Sequence, residues 1–377
     1  MPWQECSVET LRQEFVMLAS QEEANIRELC RRFGISPATG YALLARYRQE
    51  GDAGLRDRSR RPHTAPTQTD PAMEAAVCAV RIAHPAWGGR KIRRYLCDHG
   101  HGAVPAASTI TVILRRHALL DPAASVTHRA VQRFEADAPN ALWQMDFKGK
   151  IPLLHGVCHP LTVLDDHSRY ALGVDACADE RTATVQTRLT ALFRRYGLPV
   201  RMLMDNGPPW GEATARYTAL TVWLLRLGIT ISHGRPYHPQ TQGKDERFHR
   251  TLKAEVLVDA CFADLVTAQA AFDHWRPIYN QERPHEALAL ATPSSRYHIS
   301  PRAYPEVFPP IEYSPGDQVR KVQHEGEIHF RGRTVPISKA FRGYPVALRS
   351  TLTDGIWTVY FCKQWIAQID LRDPLRG

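Results

Sequence analysis

The sequence predicts a multidomain chain: two all-α helix-turn-helix modules, an α/β centre on a mixed five-stranded sheet, and a small C-terminal β-barrel. Three observations predict it. Proline-rich stretches without hydrophobic period cut the 377 residues into four parts. Apolar spacing is helical in the first two parts, mixed in the third and strand-like in the fourth. Positive charge is unevenly shared: residues 1–135 carry 19 Lys or Arg against 14 Asp or Glu, residues 136–298 carry 18 against 17, and residues 299–377 carry 11 against 8. A balanced centre between basic flanks suits a domain that gathers carboxylates between parts that hold a polyanion.

Composition excludes several classes. With 44% apolar and 23% charged residues the chain is not wholly disordered. No run of about 18 apolar residues occurs, so no membrane span is expected. The first residues lack the basic-then-apolar pattern of a signal peptide. The eight cysteines are scattered and form no Cys-x-x-Cys pair, which predicts free thiols in a reducing cytoplasm rather than a disulfide framework or zinc finger. The net charge of +9 points toward a polyanionic partner.

The first module spans 1–56. Ile26, Leu29, Cys30 and Phe33 repeat on one helical face and Gly34 stops it. Ser36 is a good N-cap and Pro37 suits the first turn of the next helix. Helix, glycine turn and capped helix is the geometry that lays a recognition helix in the DNA major groove. Ser36, Thr39, Tyr41 and Arg46 are its candidate contacts, the last three expected to point outward. Residues 57–71 form a Pro-stiffened linker, in which Arg58, Arg60 and Arg61 read either as a minor-groove arm or as solvated charges.

The second module, 72–120, repeats the idea with a winged-helix-like arrangement. A helix begins near Pro71, a second follows Trp87-Gly88-Gly89, and a third runs through Ser108, Thr109 and Ile110 to Arg115 and Arg116. Arg90, Lys91, Arg93 and Arg94 crowd the second helix. Phosphate contact is the favoured reading and a solvated face the alternative. A further linker occupies 121–135.

In the central part, 136–298, residues 142–147, 161–166, 170–174, 200–204 and 229–231 read as strands. A helix opens at Thr182 and closes at Gly197, and another runs to about Leu227. Asp146 lies in the first strand, Asp205 ends the fourth, and Glu246 sits on the helix after the polar loop 234–243. Such carboxylates can converge at one sheet edge. There they repel one another until a divalent cation relieves the repulsion, and hard oxygen donors suit Mg²⁺ or Mn²⁺. Two ions so held serve phosphodiester displacement. Asp165 and Asp166, before His167-Ser168-Arg169, read as turn residues or partners of Arg169 rather than ligands. Cys158 with His155 and His159 reads as structural. Trp210 is left open between stacking on DNA and packing on its own core.

A Pro-rich linker, 299–312, leads to 313–373, where short alternating strands and Gly turns predict the barrel. Arg331, Arg333 and Arg342 are candidate phosphate contacts there, with a purely structural barrel as the alternative.

Several strings carry a resemblance: Trp143-Gln144-Met145-Asp146, Asp165-Asp166-His167-Ser168-Arg169, Asp205-Asn206-Gly207-Pro208, and His238 through Lys253. Together they resemble the catalytic core of bacterial insertion-sequence transposases, members of the retroviral-integrase superfamily with an Asp-Asp-Glu triad on a ribonuclease-H-like fold. The segments 24–36 and 87–92 are similar to the branch with two N-terminal helix-turn-helix modules. The resemblance implies that Asp146, Asp205 and Glu246 are catalytic and hold two Mg²⁺ ions, with Mn²⁺ able to substitute. It singles out Glu246 over the adjacent Asp245, and it implies an SH3-like tail. It also implies binding to double-stranded DNA at terminal inverted repeats, end cleavage, and joining of 3′-hydroxyls to target DNA by a homodimer or larger assembly on the bacterial nucleoid. Arg250 and Lys253 share a helical face with Glu246, and Lys244 and Arg247 flank it as further DNA contacts. Forty residues separate Asp205 from Glu246, where many relatives have about 35. A DNA-binding regulator, or a nuclease that cuts without joining, is the alternative.

Overall fold

The structure is a computed structural model. It describes residues 7–58, 69–120, 135–205, 207, 209–210, 217–233, 243–258 and 260–372. The expected contacts Arg60 and Arg61 lie outside these residues, as does the loop 234–242. The chain divides into two units, residues 1–68 and 69–377.

The first unit contains three helices, α1 (Val8–Ala19), α2 (Ile26–Arg32) and α3 (Pro37–Glu50), followed by a 3₁₀ turn, Gly51–Leu55. Each helix begins on a polar cap: Ser7 accepts from the Thr10 N–H, Asn25 from Glu28 and Ser36 from Thr39. Phe15, Val16, Cys30, Leu43, Leu44 and Leu55 form the core. α1, absent from the sequence reading, supplies the first two. α3 crosses close over α1 and α2 at Gly40, whose lack of a side chain permits it: a Cβ there would collide with Cys30 Sγ and the Phe15 ring.

The second unit opens with α4 (Pro71–Ala83), α5 (Gly89–Asp98) and α6 (Ala107–Arg116) around Val77, Trp87, Ile92, Leu96, Ile110 and Leu114. Ile278, from the central part of the chain, packs against this core.

The central sheet has six strands rather than five. They are β1 (Leu142–Phe147), β2 (Ile151–Leu153), β3 (Gly156–Asp165), β4 (Ala171–Cys177), β5 (Arg201–Met204) and β6 (Thr230–His233), in the order β2-β3-β1-β5-β6, with β4 also paired to β3. The added strand β2 is an edge, the place where Pro152 is tolerated. β1, β5 and β6 are parallel, and β3 is antiparallel to β1. The helices are α7 (Thr182–Tyr196), α8 (Ala219–Arg226), α9 (Gly243–Leu252) and α10 (Leu265–Pro277). A π-helical turn, Lys253–Leu257, follows α9 directly, and another, Ile278–Glu282, follows α10.

Alternation along the strands decides which side each residue serves. Trp143, Met145, Leu161, Val163, Met202 and Met204 pack with Val185, Leu189, Phe193, Leu220 and Leu224 of α7 and α8. Leu164, Ala171, Val174 and Ala176 pack with Phe248, Leu252, Phe272 and Trp275 of α9 and α10. By the same alternation Asp146, one residue past Met145, belongs to the α9 side, and Asp205, one past Met204, follows it. Asn280 braces the sheet on that side. Its amide accepts from the Ala171 N–H at 2.8 Å and donates to the Ala171 carbonyl at 3.0 Å.

The C-terminal part contains β7 (Gln318–Lys321), β8 (Glu327–Phe330), β9 (Arg333–Pro336), β10 (Pro345–Ser350), β11 (Ile356–Phe361) and β12 (Gln364–Asp370). Among the described residues these form an antiparallel sheet, β12-β11-β10-β7, and a separate hairpin, β8-β9, so the expected barrel does not close. Phe330, Phe341, Val346, Leu348, Trp357 and Phe361 fill the space between them.

Candidate active site

The site begins with strand register. β1 and β5 run parallel, with Gln144 opposite Leu203. Two residues further on lie Asp146, still in β1, and Asp205, just past the end of β5. Asp146 is half-buried, and its pKa is pushed up to about 6. Burial is the main cause; an N–H bond from Phe147 opposes it, and the charge of Asp205 adds to it. Two like charges at one edge are the arrangement that a divalent cation relieves.

α9 lies over this edge. Phe248, His249 and Leu252 turn inward, whereas Glu246, Arg247 and Arg250 are exposed. His249 anchors the helix to Thr162 on β3, beside the aspartate: its Nε2 lies 2.8 Å from Thr162 Oγ1 and its Nδ1 lies 3.8 Å from Asp146 Oδ2. Glu246 is one helical turn before His249. The adjacent Asp245 is buried and points inward, and its pKa is raised well above the ordinary value by burial, then by the charges of Asp146 and Asp166. The two neighbouring acids therefore have opposite environments, with Glu246 the one open to solvent. Lys253, in the π-helical turn, is exposed as well. Among the described residues no three His, Cys, Asp or Glu side chains close into a ready-made metal cage. The fit to a metal lies in the donor chemistry: hard oxygens, like-charged, at an open sheet edge.

A second acidic cluster lies beneath. Asp165 accepts from the Asn140 N–H at 2.7 Å and from the N–H and hydroxyl of Ser168 at 2.8 and 2.5 Å. Asp166 accepts from the Ala136 N–H at 2.7 Å and from Gln144 Nε2 at 2.5 Å, and it pairs with Lys244. Arg169 donates to the Asp166 carbonyl and to Glu135. Both aspartates are fully buried. They are turn-builders, and Lys244 joins the start of α9 to them.

That changes the reading of Lys244, which sequence placed on DNA: its ammonium is occupied by Asp166. Three other cations change likewise. Arg46 turns inward and donates to the carbonyls of Gly54 and Arg56, tying α3 to the turn after it. Lys91 is half-buried, and its pKa falls to about 8 through burial first and the nearby Arg283 second. Arg90 pairs with Glu286 at 3.4 Å. α5 thus turns Arg90 and Lys91 toward the central domain. Arg58 pairs with Glu50, Arg94 with Asp98 and Arg116 with Glu74.

Ser36 caps α3, beside the exposed Thr39 and Tyr41. On α6, Ser108, Thr109 and Arg115 face solvent. Trp210 is 2% exposed and stacks on Phe147 with ring centroids 5.6 Å apart, which removes it as a DNA-stacking residue. In the tail, Arg331 covers the Trp357 ring at 4.7 Å and Arg333 donates to the Leu371 carbonyl at 2.6 Å, whereas Arg342 is exposed. Gln144, Thr162 and His249 had no role assigned from sequence. The available signal for His249 was its spacing, three residues beyond Glu246 on a helix.

Family models match the chain in five places. A helix-turn-helix domain matches 11–63 and a homeodomain-like domain 39–114. Two integrase core domain models match 136–239 and 227–293, and the C-terminal domain of IS481 family transposases matches 317–374. An uncharacterized 31.7 kDa protein of insertion element IS407 from Burkholderia multivorans is 31% identical, across 42% of this chain and 55% of its own length. An uncharacterized 39.2 kDa protein of insertion element IS476 from Xanthomonas euvesicatoria is 32% identical, across 41% of this chain and 44% of its own. The chain thus spans about half the length of these curated relatives. Among solved structures, the HTLV-2 integrase catalytic core domain in complex with magnesium (trimeric form) matches 44% of this chain and 100% of its own, at 19% identity and a TM-score of 0.34.

Proposed function

The chain belongs to the insertion-sequence transposases of the integrase superfamily, and on that premise we propose what this transposase does. It binds the terminal inverted repeats of its element, cleaves at the element's ends and joins the freed 3′-hydroxyls to target DNA. The observation that supports this is the nearness of Asp146, on β1, to Asp205, just past the end of the parallel strand β5, close enough for its charge to raise the Asp146 pKa, next to the helix that bears Glu246.

Asp146, Asp205 and Glu246 are the residues that hold two Mg²⁺ ions, or Mn²⁺ in their place. When bound, such ions neutralise phosphate charge and make a water or hydroxyl oxygen nucleophilic. The protein's own groups do the rest. Arg250 and Lys253 follow Glu246 along the exposed side of the helix and hold the phosphates on either side of the scissile bond. Phe147, next to Asp146, stacks on the buried Trp210. α6, with Ser108, Thr109 and Arg115, and α3, with Thr39 and Tyr41, read the repeat. The protein works on the nucleoid as a homodimer or larger assembly, because two element ends must be joined together.

The test supplies purified protein with a pre-nicked repeat end, a plasmid target and Mg²⁺. Joined products are expected from wild type, and Glu246→Gln should bind ends without joining them. Linear fragments alone would make the protein a nuclease, and bound complexes alone a regulator. Equal joining by Glu246→Gln and wild type would remove the triad assignment.

A further inference from the structure

The Asp146 corner contains a nitrogen that the acidic triad does not use. Asp146 and Thr162 are cross-strand partners on the face under α9. Thr162 Oγ1 makes two close contacts, 2.9 Å to the Asp146 carbonyl oxygen and 2.8 Å to His249 Nε2. Each contact needs one proton between its atoms. The carbonyl has none to give, so the Thr162 hydroxyl donates to it. A hydroxyl has only one proton, so the second contact takes its proton from Nε2–H. A neutral imidazole held this way is the Nε2–H tautomer, whose Nδ1 presents a lone pair.

That lone pair faces Asp146 Oδ2 at 3.8 Å, beyond hydrogen-bonding distance. His249 is only 8% exposed, held by the helix on one side and Thr162 on the other. Two electron-rich donors so fixed can share one cation, whose bonds to nitrogen and oxygen are about 2.1 Å. Glu246 precedes His249 by three residues, within one turn of the same helix.

We propose that His249 Nδ1 is a ligand of the divalent ion held at Asp146, so that α9 contributes a Glu-x-x-His pair rather than a glutamate alone. This rests on the reading above that Asp146 holds a metal. A nitrogen donor gives the site a preference for Mn²⁺ over Mg²⁺ relative to an all-oxygen site, since imidazole favours the more transition-like ion. It also makes Thr162 a positioning residue, because its hydroxyl fixes the tautomer that leaves Nδ1 free to bind.

The experiment uses the full chain with Mn²⁺ as probe and no DNA. Electron spin-echo envelope modulation of bound Mn²⁺ is recorded for protein with natural histidine, for protein grown with ¹⁵N-histidine, and for His249→Gln, whose amide fills the ring's space. Mn²⁺ affinity is measured alongside, with Asp146→Asn as the control. A ¹⁴N modulation that changes on ¹⁵N-histidine labelling and disappears in His249→Gln is expected, with Mn²⁺ affinity falling about tenfold and Mg²⁺ affinity less. Mn²⁺ binding that needs Asp146 but shows no histidine nitrogen overturns the ligand and leaves the Asp146 reading standing. A nitrogen signal that persists in His249→Gln overturns it too, by assigning the coupling to another histidine. Binding indifferent to Asp146→Asn removes the metal reading and this inference with it.

Discussion

Two pairs of aspartates lie within one sheet and have different fates. Asp165 and Asp166 are fully buried, and their oxygens are met by Asn140, Ser168, Ala136, Gln144 and Lys244. Asp146 lies near the end of β1 and Asp205 just past the end of β5, each carboxylate within reach of the other's charge, with His249 Nδ1 3.8 Å from Asp146. The first pair has its charge answered from inside the protein and builds a turn. In the second, burial and the charge of Asp205 both press on Asp146, and a crowded, partly buried carboxylate is what marks a site.

The largest expected effect tests the second pair. Asp146→Asn should reduce end joining by a factor of about 10³ or more, the scale seen when a principal electrostatic group is lost, while end binding in a gel-shift assay stays within twofold. Joining that survives would put the two pairs in the same class.

The next tests the first pair. Asp166→Ala leaves Lys244 without its buried partner and should cost about 3–5 kcal/mol of stability in urea unfolding. A loss below about 1 kcal/mol would mean that water answers that charge, as it does for a surface pair.

A third prediction concerns pH. The Asp146 pKa is raised from 3.8 to about 6 in the folded protein. Its contribution is therefore complete below pH 3.8, is lost as pH rises toward 6, and stays lost above. Asp146→Asn should match wild type near pH 3.5 and exceed it at pH 7 by at most about 1 kcal/mol, because the carboxylate retains solvent contact. Thermal unfolding at the two pH values measures this. A variant less stable than wild type at pH 7 would reverse the assigned cause.

The same contrast extends to the cations and gives the smallest effect. Arg115 is exposed on α6, whereas Lys91 is half-buried on α5. Arg115→Ala should weaken end binding by about 1 kcal/mol and reduce the salt dependence of binding by about one ion. Lys91→Met should leave that slope unchanged. Equal slopes for Arg115→Ala and wild type would return the reading surface to α5.

Much of this was legible in residue order. Pro37 and Pro71 after polar residues announced helix starts, and Val200 to Met204 announced the strand that delivers Asp205. These signals are local, contained within a turn or a strand. What stayed hidden depended on partners far along the chain. Spacing alone put Arg46 outward, but the turn at 51–55 folds back and captures it. Trp210 had two readings until Phe147 arrived beneath it from another strand. β2 was hidden because a proline in a three-residue segment looks like a breaker, and only an edge position makes it acceptable.

By itself the sequence determined which residues can form helices and strands, where the chain breaks, and which acids lie at the ends of elements. Those follow from backbone preference and apolar period, properties of neighbours in the chain. Only the tertiary structure decided which charges are answered. Asp166 meets Lys244 across 78 positions and Thr162 meets His249 across 87. Whether a buried polar atom is satisfied depends on groups that folding alone brings within 3 Å.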